Sequence, residues 1–215
     1  CSDQFTIRAQ SLTDEQRGSV CSDLATLQSR LHQLFNTAGM PVDNDYNEHL
    51  EVVVFDSSDQ YQLYGSVLLG ISTNTGGIYL EGHPSDMNNQ ARFIAYVAEW
   101  KSEFEVWILM HGAVHFLDGR FNMKGDFNDT MSADTVWWVE GIAEYVSKLE
   151  DNAEAIDVGQ QKSWNLSQLF YTHYNDSSSR LNNWGYLASR YHFRKQRTPS
   201  SAFLMFTREG TYRSS

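Results

Sequence analysis

His111-Gly112-Ala113-Val114-His115, followed by Trp137-Trp138-Val139-Glu140-Gly141-Ile142-Ala143-Glu144, sets the architecture of this chain. Histidines four apart on a helix lie on one face, about 5–6 Å apart at Cβ, which suits two ligands of one metal ion. The spacing alone equally describes ordinary surface or core histidines. In the second stretch Glu140 and Glu144 share a helix face and sit among apolar residues. Carboxylates in such surroundings are rare unless they are paired or hold a metal. A charge at a helix N-terminus or a salt bridge is the competing reading for Glu140. Joined, a two-histidine helix, a turn and a second helix carrying Glu form the plan of a His₂Glu zinc site with an open fourth position.

Outward from these stretches the chain reads as helices and a few strands. Glu103 to Leu117 predicts the histidine-bearing helix, with Phe104, Trp107, Ile108, Val114 and Leu117 for a core and Gly119 as its stop. Residues 120 to 132 read as a loop containing Gly125, and Thr135 to Leu149 as the second helix. Upstream, Thr13-Asp14-Glu15-Gln16 is a capping box. Val20, Leu24, Leu27, Leu31, Leu34 and Phe35 then recur at helical spacing, up to Gly39 and Pro41. Leu50 to Phe55 is a buried strand, Tyr61 to Leu69 a helix, Ile78 to Glu81 a strand after the turn Gly76-Gly77, and Arg92 to Val97 a further strand. Asp151 to Lys162 is polar. A short helix is expected over Leu166 to Tyr174, a loop at Asn175 to Ser179, and a helix over Trp184 to Phe193.

The pattern predicts an α+β fold, a small twisted sheet packed on helices. An N-terminal lobe, 1–118, holds the sheet and the metal-binding helix; a mainly helical C-terminal lobe, 119–215, carries the third ligand. Arg213-Ser214-Ser215 offers no stop signal, so that lobe is expected to be truncated.

Composition narrows the functions. Of 215 residues, 41% are hydrophobic and 20% charged, which excludes a disordered or low-complexity chain. A formal charge of −11 argues against general nucleic-acid binding. No apolar run spans a membrane, and no charged n-region precedes an apolar stretch, so neither a transmembrane segment nor a signal peptide is expected. A chain beginning with Cys reads as a mature fragment or an excised domain. The two cysteines, Cys1 and Cys21, have three readings. They form a disulfide closing a loop of about 20 residues, worth ~3 kcal/mol in the chain-entropy model; or they are two unpaired small hydrophobes; or Cys1 is lipid-modified, though no lipobox is visible.

Phe104-Glu105-Val106-Trp107, His111 to His115, Phe116-Leu117-Asp118-Gly119-Arg120-Phe121 and Trp137 to Ser147 together resemble the catalytic domain of Vibrio-type bacterial collagenases, which are zinc metalloendopeptidases of the gluzincin group. The similarity extends to Leu50–Asp56, Gly70–Gly82, Asn89–Ala95 and Trp184–Tyr191, and so spans nearly the whole chain. The resemblance implies that His111, His115 and Glu140 bind zinc and that Glu144, one turn on, orients a ligand. It implies calcium at Glu81, with carbonyls from the loop Gly119 to Gly125 completing a shell of oxygens. It also implies collagen or gelatin-like peptide substrates, secretion, and an N-terminal activator domain that this chain lacks. In oxidising surroundings Cys1 and Cys21 are expected to be bridged.

Two positions depart from the family pattern. The motif is His-Glu-x-x-His, and Gly112 stands where that Glu, the general base, takes a proton from the attacking water. Such help is worth ~10²–10⁴-fold, or about 3–5 kcal/mol of barrier, so the chain is expected to be inactive or weakly active. Gly also weakens a helix by about 1 kcal/mol relative to Ala. Gly112→Glu is therefore expected to return some activity and to raise stability slightly. The family also tends to place a Tyr just before the Trp-Gly-Tyr string to stabilise the tetrahedral intermediate. Here Leu181-Asn182-Asn183 precede Trp184-Gly185-Tyr186; Asn182 can donate a hydrogen bond instead, and Tyr186 is the other candidate.

The peptide is expected to add as a strand beside Ile78–Leu80, because Gly76-Gly77 let another backbone approach; an ordinary turn is the other reading of that pair. The function that follows is an impaired collagenase-type zinc endopeptidase domain. The alternatives are an inactive zinc-containing relative that binds peptide or collagen, and a structural zinc or metal-free domain.

Overall fold

Four strands, β1 (Phe5–Ala9), β2 (Leu50–Phe55), β3 (Ile78–Leu80) and β4 (Ala91–Tyr96), form one mixed sheet in the order β1-β2-β4-β3. The computed structural model describes residues 1–195 and 207–211. β1, β2 and β4 are parallel, and β3 runs antiparallel along the outer edge of β4. Parallel neighbours require crossovers. Helix α1 (Asp14–Phe35) supplies the first and α2 (Ser58–Leu69) lies in the second. β2 reads as a nearly continuous apolar run because both its faces are covered: Leu50, Val52 and Val54 join the main core, while Val53 and Phe55 pack into a smaller cluster with Tyr61 of α2.

The capping box at Thr13 and Gln16 is present, and Val20, Leu24, Leu27 and Leu31 are buried as the periodicity requires. α1 ends sooner than Gly39: Asn36 takes the left-handed conformation at φ 50° and caps it. Cys1 and Cys21 form a disulfide that ties the N-terminus to α1.

Helix α3 (Leu109–Phe121) begins six residues later than the sequence suggests. Val106 is drawn into a bridge with Val97, and Trp107 N–H donates to Tyr96 O at 2.8 Å, so tertiary pairing overrides local helix preference there. Gly119 does not stop α3; it lies inside the helix, which runs on to Phe121. A short α4 (Phe127–Met131) interrupts the expected loop, and α5 (Val136–Lys148) falls where it was expected. The polar stretch after 150 contains α6 (Ala153–Gln160), capped by the Asn152 side chain. α7 is only Leu166–Leu169, and a π-helical turn, Ser179–Trp184, leads into α8 (Gly185–Lys195).

α5 is the central helix. It crosses α8 at two glycines: a Cβ on Gly141 would lie 2.3 Å from Gly185 O, so only glycine allows this approach. With α8 behind it and Trp138 fully buried, α5 turns Glu140 and Glu144 towards α3. Among the described residues no helix is long and apolar enough to cross a membrane.

Candidate metal centre

α3 stacks His111 and His115 on one face, ring centroids 4.8 Å apart, as their spacing requires. α5 faces them with Glu140. Its two carboxylate oxygens lie 3.2 Å from His111 Nε2 and 3.8 Å from His115 Nε2. One atom from each of the three residues falls within 4.8 Å of the others. Ligand atoms at the corners of a tetrahedron with bonds of 2.0–2.1 Å are about 3.3 Å apart, so this donor set and spacing fit zinc.

The surroundings hold the three in place. Glu144, one turn beyond Glu140, accepts from His111 Nδ1 at 3.0 Å, and Lys148 Nζ donates to its other oxygen at 2.6 Å. Tyr174 donates its hydroxyl to Glu140 Oε1 at 2.7 Å. Tyr79 of β3 stacks on His115 at 6.2 Å. Burial favours neutral His111, but the hydrogen bonds and charges of Glu140 and Glu144 outweigh it and raise its pKa to about 9. His115, which lacks so close a partner, is lowered by burial to about 4. Burial would raise Glu140, but His115, His111 and Tyr174 overcome it and bring it to about 2. Glu140 is thus held as a carboxylate, the form a metal requires.

The cluster lines a cleft of about 800 Å³ that also takes in β3, Glu81, Phe127 and Asn182. Glu81 accepts the Phe127 backbone N–H at 2.7 Å, and its Oε1 lies 3.0 Å from where a Cβ on Gly119 would be. It is thus beside the expected loop. Burial raises its pKa to about 7, offset by the Phe127 N–H and reinforced by Asp126, Asp45 and Asp118. Asn182, on the π-helical turn, lines the same cleft.

Tyr186 does not reach it. The ring is fully buried and its hydroxyl donates to Leu149 O at 2.5 Å, because successive residues of a helix point about 100° apart. Tyr174 is the tyrosine that hydrogen-bonds Glu140, and the sequence reading missed it. Its contact joins residues 34 apart in the sequence, across α6 and α7, and no spacing or motif marks it.

Two expectations about glycine change. β3 is an edge strand of the sheet, unpaired on its outer side among the described residues, and lines the cleft, but the room at Gly76 and Gly77 is already used. A Cβ on Gly76 would meet the Trp107 ring at 2.3 Å, and one on Gly77 would meet Ile94 O at 3.1 Å. These glycines let Trp107 and β4 close in. Gly112 is buried, and a Cβ there would lie 2.1 Å from the Phe93 ring. A side chain at 112 would have to displace the Phe93 ring, and that overpacking opposes the better helix propensity on which the expected stabilising Gly112→Glu exchange rests.

Comparison with known proteins agrees with this geometry. A model of the collagenase family, peptidase family M9, matches residues 1–215. Microbial collagenases of Vibrio vulnificus and Vibrio alginolyticus are 38% and 39% identical over 99% of this chain. A collagenase of Clostridium tetani is 23% identical over 70% of it, and 16% of that relative is covered. The chain spans about a quarter, 26%, of the length of each Vibrio relative. By whole-chain match and identity, with a two-histidine helix facing a glutamate helix, this chain belongs to the M9 collagenase family.

Proposed function

We propose that this chain is the peptidase domain of a secreted, collagenase-type zinc endopeptidase that engages collagen-like peptides and in which hydrolysis is impaired. The observation that carries the reading is the convergence of His111, His115 and Glu140 at ligand spacing in one cleft. When bound, zinc supplies Lewis-acid polarisation of the scissile carbonyl and of water. The chain's own residues do the rest. Glu144 fixes the His111 ring through Nδ1, and Tyr174 fixes Glu140. The Tyr174 hydroxyl donates its hydrogen bond to Glu140, which leaves the Asn182 amide on the cleft as a donor for a developing oxyanion. The outer edge of β3, unpaired among the described residues, offers backbone groups to an extended peptide. Position 112 offers no proton acceptor, so the proton-transfer share of the barrier is unrelieved.

Calcium at Glu81 belongs to the same reading, supported by a half-buried carboxylate beside the Gly119–Gly125 segment and near Asp45 and Asp118. So does a cleft between a lobe of residues 1–118 and a helical lobe of 119–215, and an activator domain elsewhere in a longer protein, in keeping with the length of the relatives. The second reading, a non-catalytic zinc domain that binds peptide or collagen, is favoured by the Phe93 ring standing where a side chain at 112 would go.

Elemental analysis after dialysis tests the proposal: one zinc per chain is expected, with a strong loss in His115→Ala. Unchanged zinc in that variant removes the assigned site. Cleavage of a short collagen-like peptide at high protein concentration, with a chelator control, separates the impaired enzyme from the non-catalytic relative.

A further inference from the structure

Gly112 is the fourth residue of α3, and its N–H donates to Ile108 O at 3.0 Å. A Cβ built there would lie 2.1, 2.3 and 2.6 Å from three carbons of the Phe93 ring. Carbons in comfortable contact are about 3.5–4.0 Å apart, so ring or helix would have to give way by more than about 1 Å. The ring is 1% exposed and belongs to the main core. Its strand is gripped on both sides, Phe93 pairing with Val52 of β2 and with Tyr79 of β3. A close-packed interior takes such an intrusion by strain and not by free rotation.

We propose that Phe93 occupies the room of a side chain at position 112, so that residues 93 and 112 form one packing unit that shuts a general base out of this cleft. Residue 93, on β4, decides whether α3 can carry a side chain at 112. The missing base is thus built into the contact between sheet and helix, and the exchange of residue 112 alone does not repair it. Phe93 is a positioning residue: it lines the same cleft as Gly112 and the ligand residues and acts through its contact with α3. The inference rests on the family reading for the role of position 112; the packing claim stands without it.

The test compares the parent with Gly112→Ala, Phe93→Ala and the double variant, by thermal unfolding and by zinc per chain after dialysis. On helix propensity alone Gly112→Ala would raise the midpoint by about 2–4 °C. With Phe93 in the way it is expected to lower the midpoint by about 2–8 °C, while zinc per chain stays near that of the parent wherever the fold is kept. In the Phe93→Ala background the same exchange should raise the midpoint, so the sign reverses with residue 93. A rise in the parent background, or the same shift in both backgrounds, overturns the proposal. Where Phe93→Ala fails to fold, Phe93→Leu replaces it and the same reversal, smaller, is required. Gly112→Glu is expected to cleave a collagen-like peptide no faster than the parent, and Phe93→Ala/Gly112→Glu about 100-fold faster than Gly112→Glu, at the lower end of general-base assistance. A parent without zinc would defeat the zinc reading while the midpoints still decide the packing claim.

Discussion

Gly141→Ala is the sharpest test of how the fold presents the site. A methyl at 141 would lie 2.3 Å from Gly185 O, 2.5 Å from Gly185 C and 2.8 Å from Ser189 Oγ. The first two atoms are backbone, so no rotamer change relieves the contact; α5 and α8 must separate by about 1 Å to restore ordinary van der Waals distances. Overpacking of this kind costs about 1–3 kcal/mol, and a rigid backbone contact belongs at the upper end. The better helix propensity of Ala returns about 1 kcal/mol. The net loss is about 2 kcal/mol, or about 4–8 °C in the unfolding midpoint for a chain of this size. Circular dichroism melting measures it, and Gly18→Ala is the control. Position 18 is an exposed site within α1 with nothing within 4 Å of the added methyl, so that exchange should raise the midpoint by about 2–4 °C. Because Glu140 precedes Gly141, displacement of α5 should also lower zinc content. A midpoint unchanged or raised in Gly141→Ala would refute the close helix crossing and the placement of Glu140 that depends on it.

Other outcomes follow from the same contacts. Tyr174→Phe removes the donor 2.7 Å from Glu140 Oε1 and should weaken zinc binding by about 10–100-fold in a chelator competition; unchanged affinity would detach Tyr174 from the site. Burial chiefly raises Glu81 and Asp118 to about 7 from 4.5 and 3.8. Each therefore keeps its proton in the fold where the unfolded chain has lost it, and stability falls as pH climbs from about 4 to 7. A cation competes with that proton, so calcium should raise the midpoint more at pH 8 than at pH 5, and Glu81→Gln should remove the difference. Equal shifts at both pH values would speak against a calcium site there. The Cys1–Cys21 bridge predicts no free thiols in denatured, unreduced protein and a loss of ~3 kcal/mol on reduction; two free thiols would contradict it.

The parts of the fold legible in the sequence are those set by local periodicity. α5 is apolar over a full face and begins and ends within a residue or so of expectation, and the two histidines meet because four residues make one turn. Long-range contacts explain the rest. The start of α3 is displaced by the Val97–Val106 bridge, a tertiary pairing that helical periodicity does not register. β1 alternates buried and more exposed residues and gains its identity from pairing with β2, 45 residues on. Gly112 looks like a defect in a helix until Phe93 is placed beside it. The Tyr174–Glu140 bond joins α5 to the segment after α7, and the return of that segment is set by tertiary packing. Residues 196–206 and 212–215 of the expected C-terminal lobe lie outside the described residues.

Backbone strain and tight packing gather at the first turns of α3. Ile108, which opens α3, is held at φ 48° without a side-chain cap, a costly conformation for a β-branched residue. Gly112 follows one turn later, with Phe93 against it. Across the cleft every polar group around Glu140 has a partner: His111 and His115 in front, Tyr174 at its edge, and Glu144 with Lys148 one turn along. Holding a metal and accepting a proton therefore depend on different contacts. The first rests on the facing surfaces of α3 and α5, the second on the junction of β4 with the first turns of α3. Contacts that are separate in space contribute nearly independently, so the two properties should separate in measurement. Exchanges at 93 and 112 should change cleavage far more than metal stoichiometry wherever the fold is kept, and exchanges at 140 and 174 should do the reverse in sequence of cause, lowering metal binding first and any cleavage only as a consequence. A Phe93/Gly112 double variant that recovers both stability and cleavage at unaltered zinc content would place the lost step at that junction.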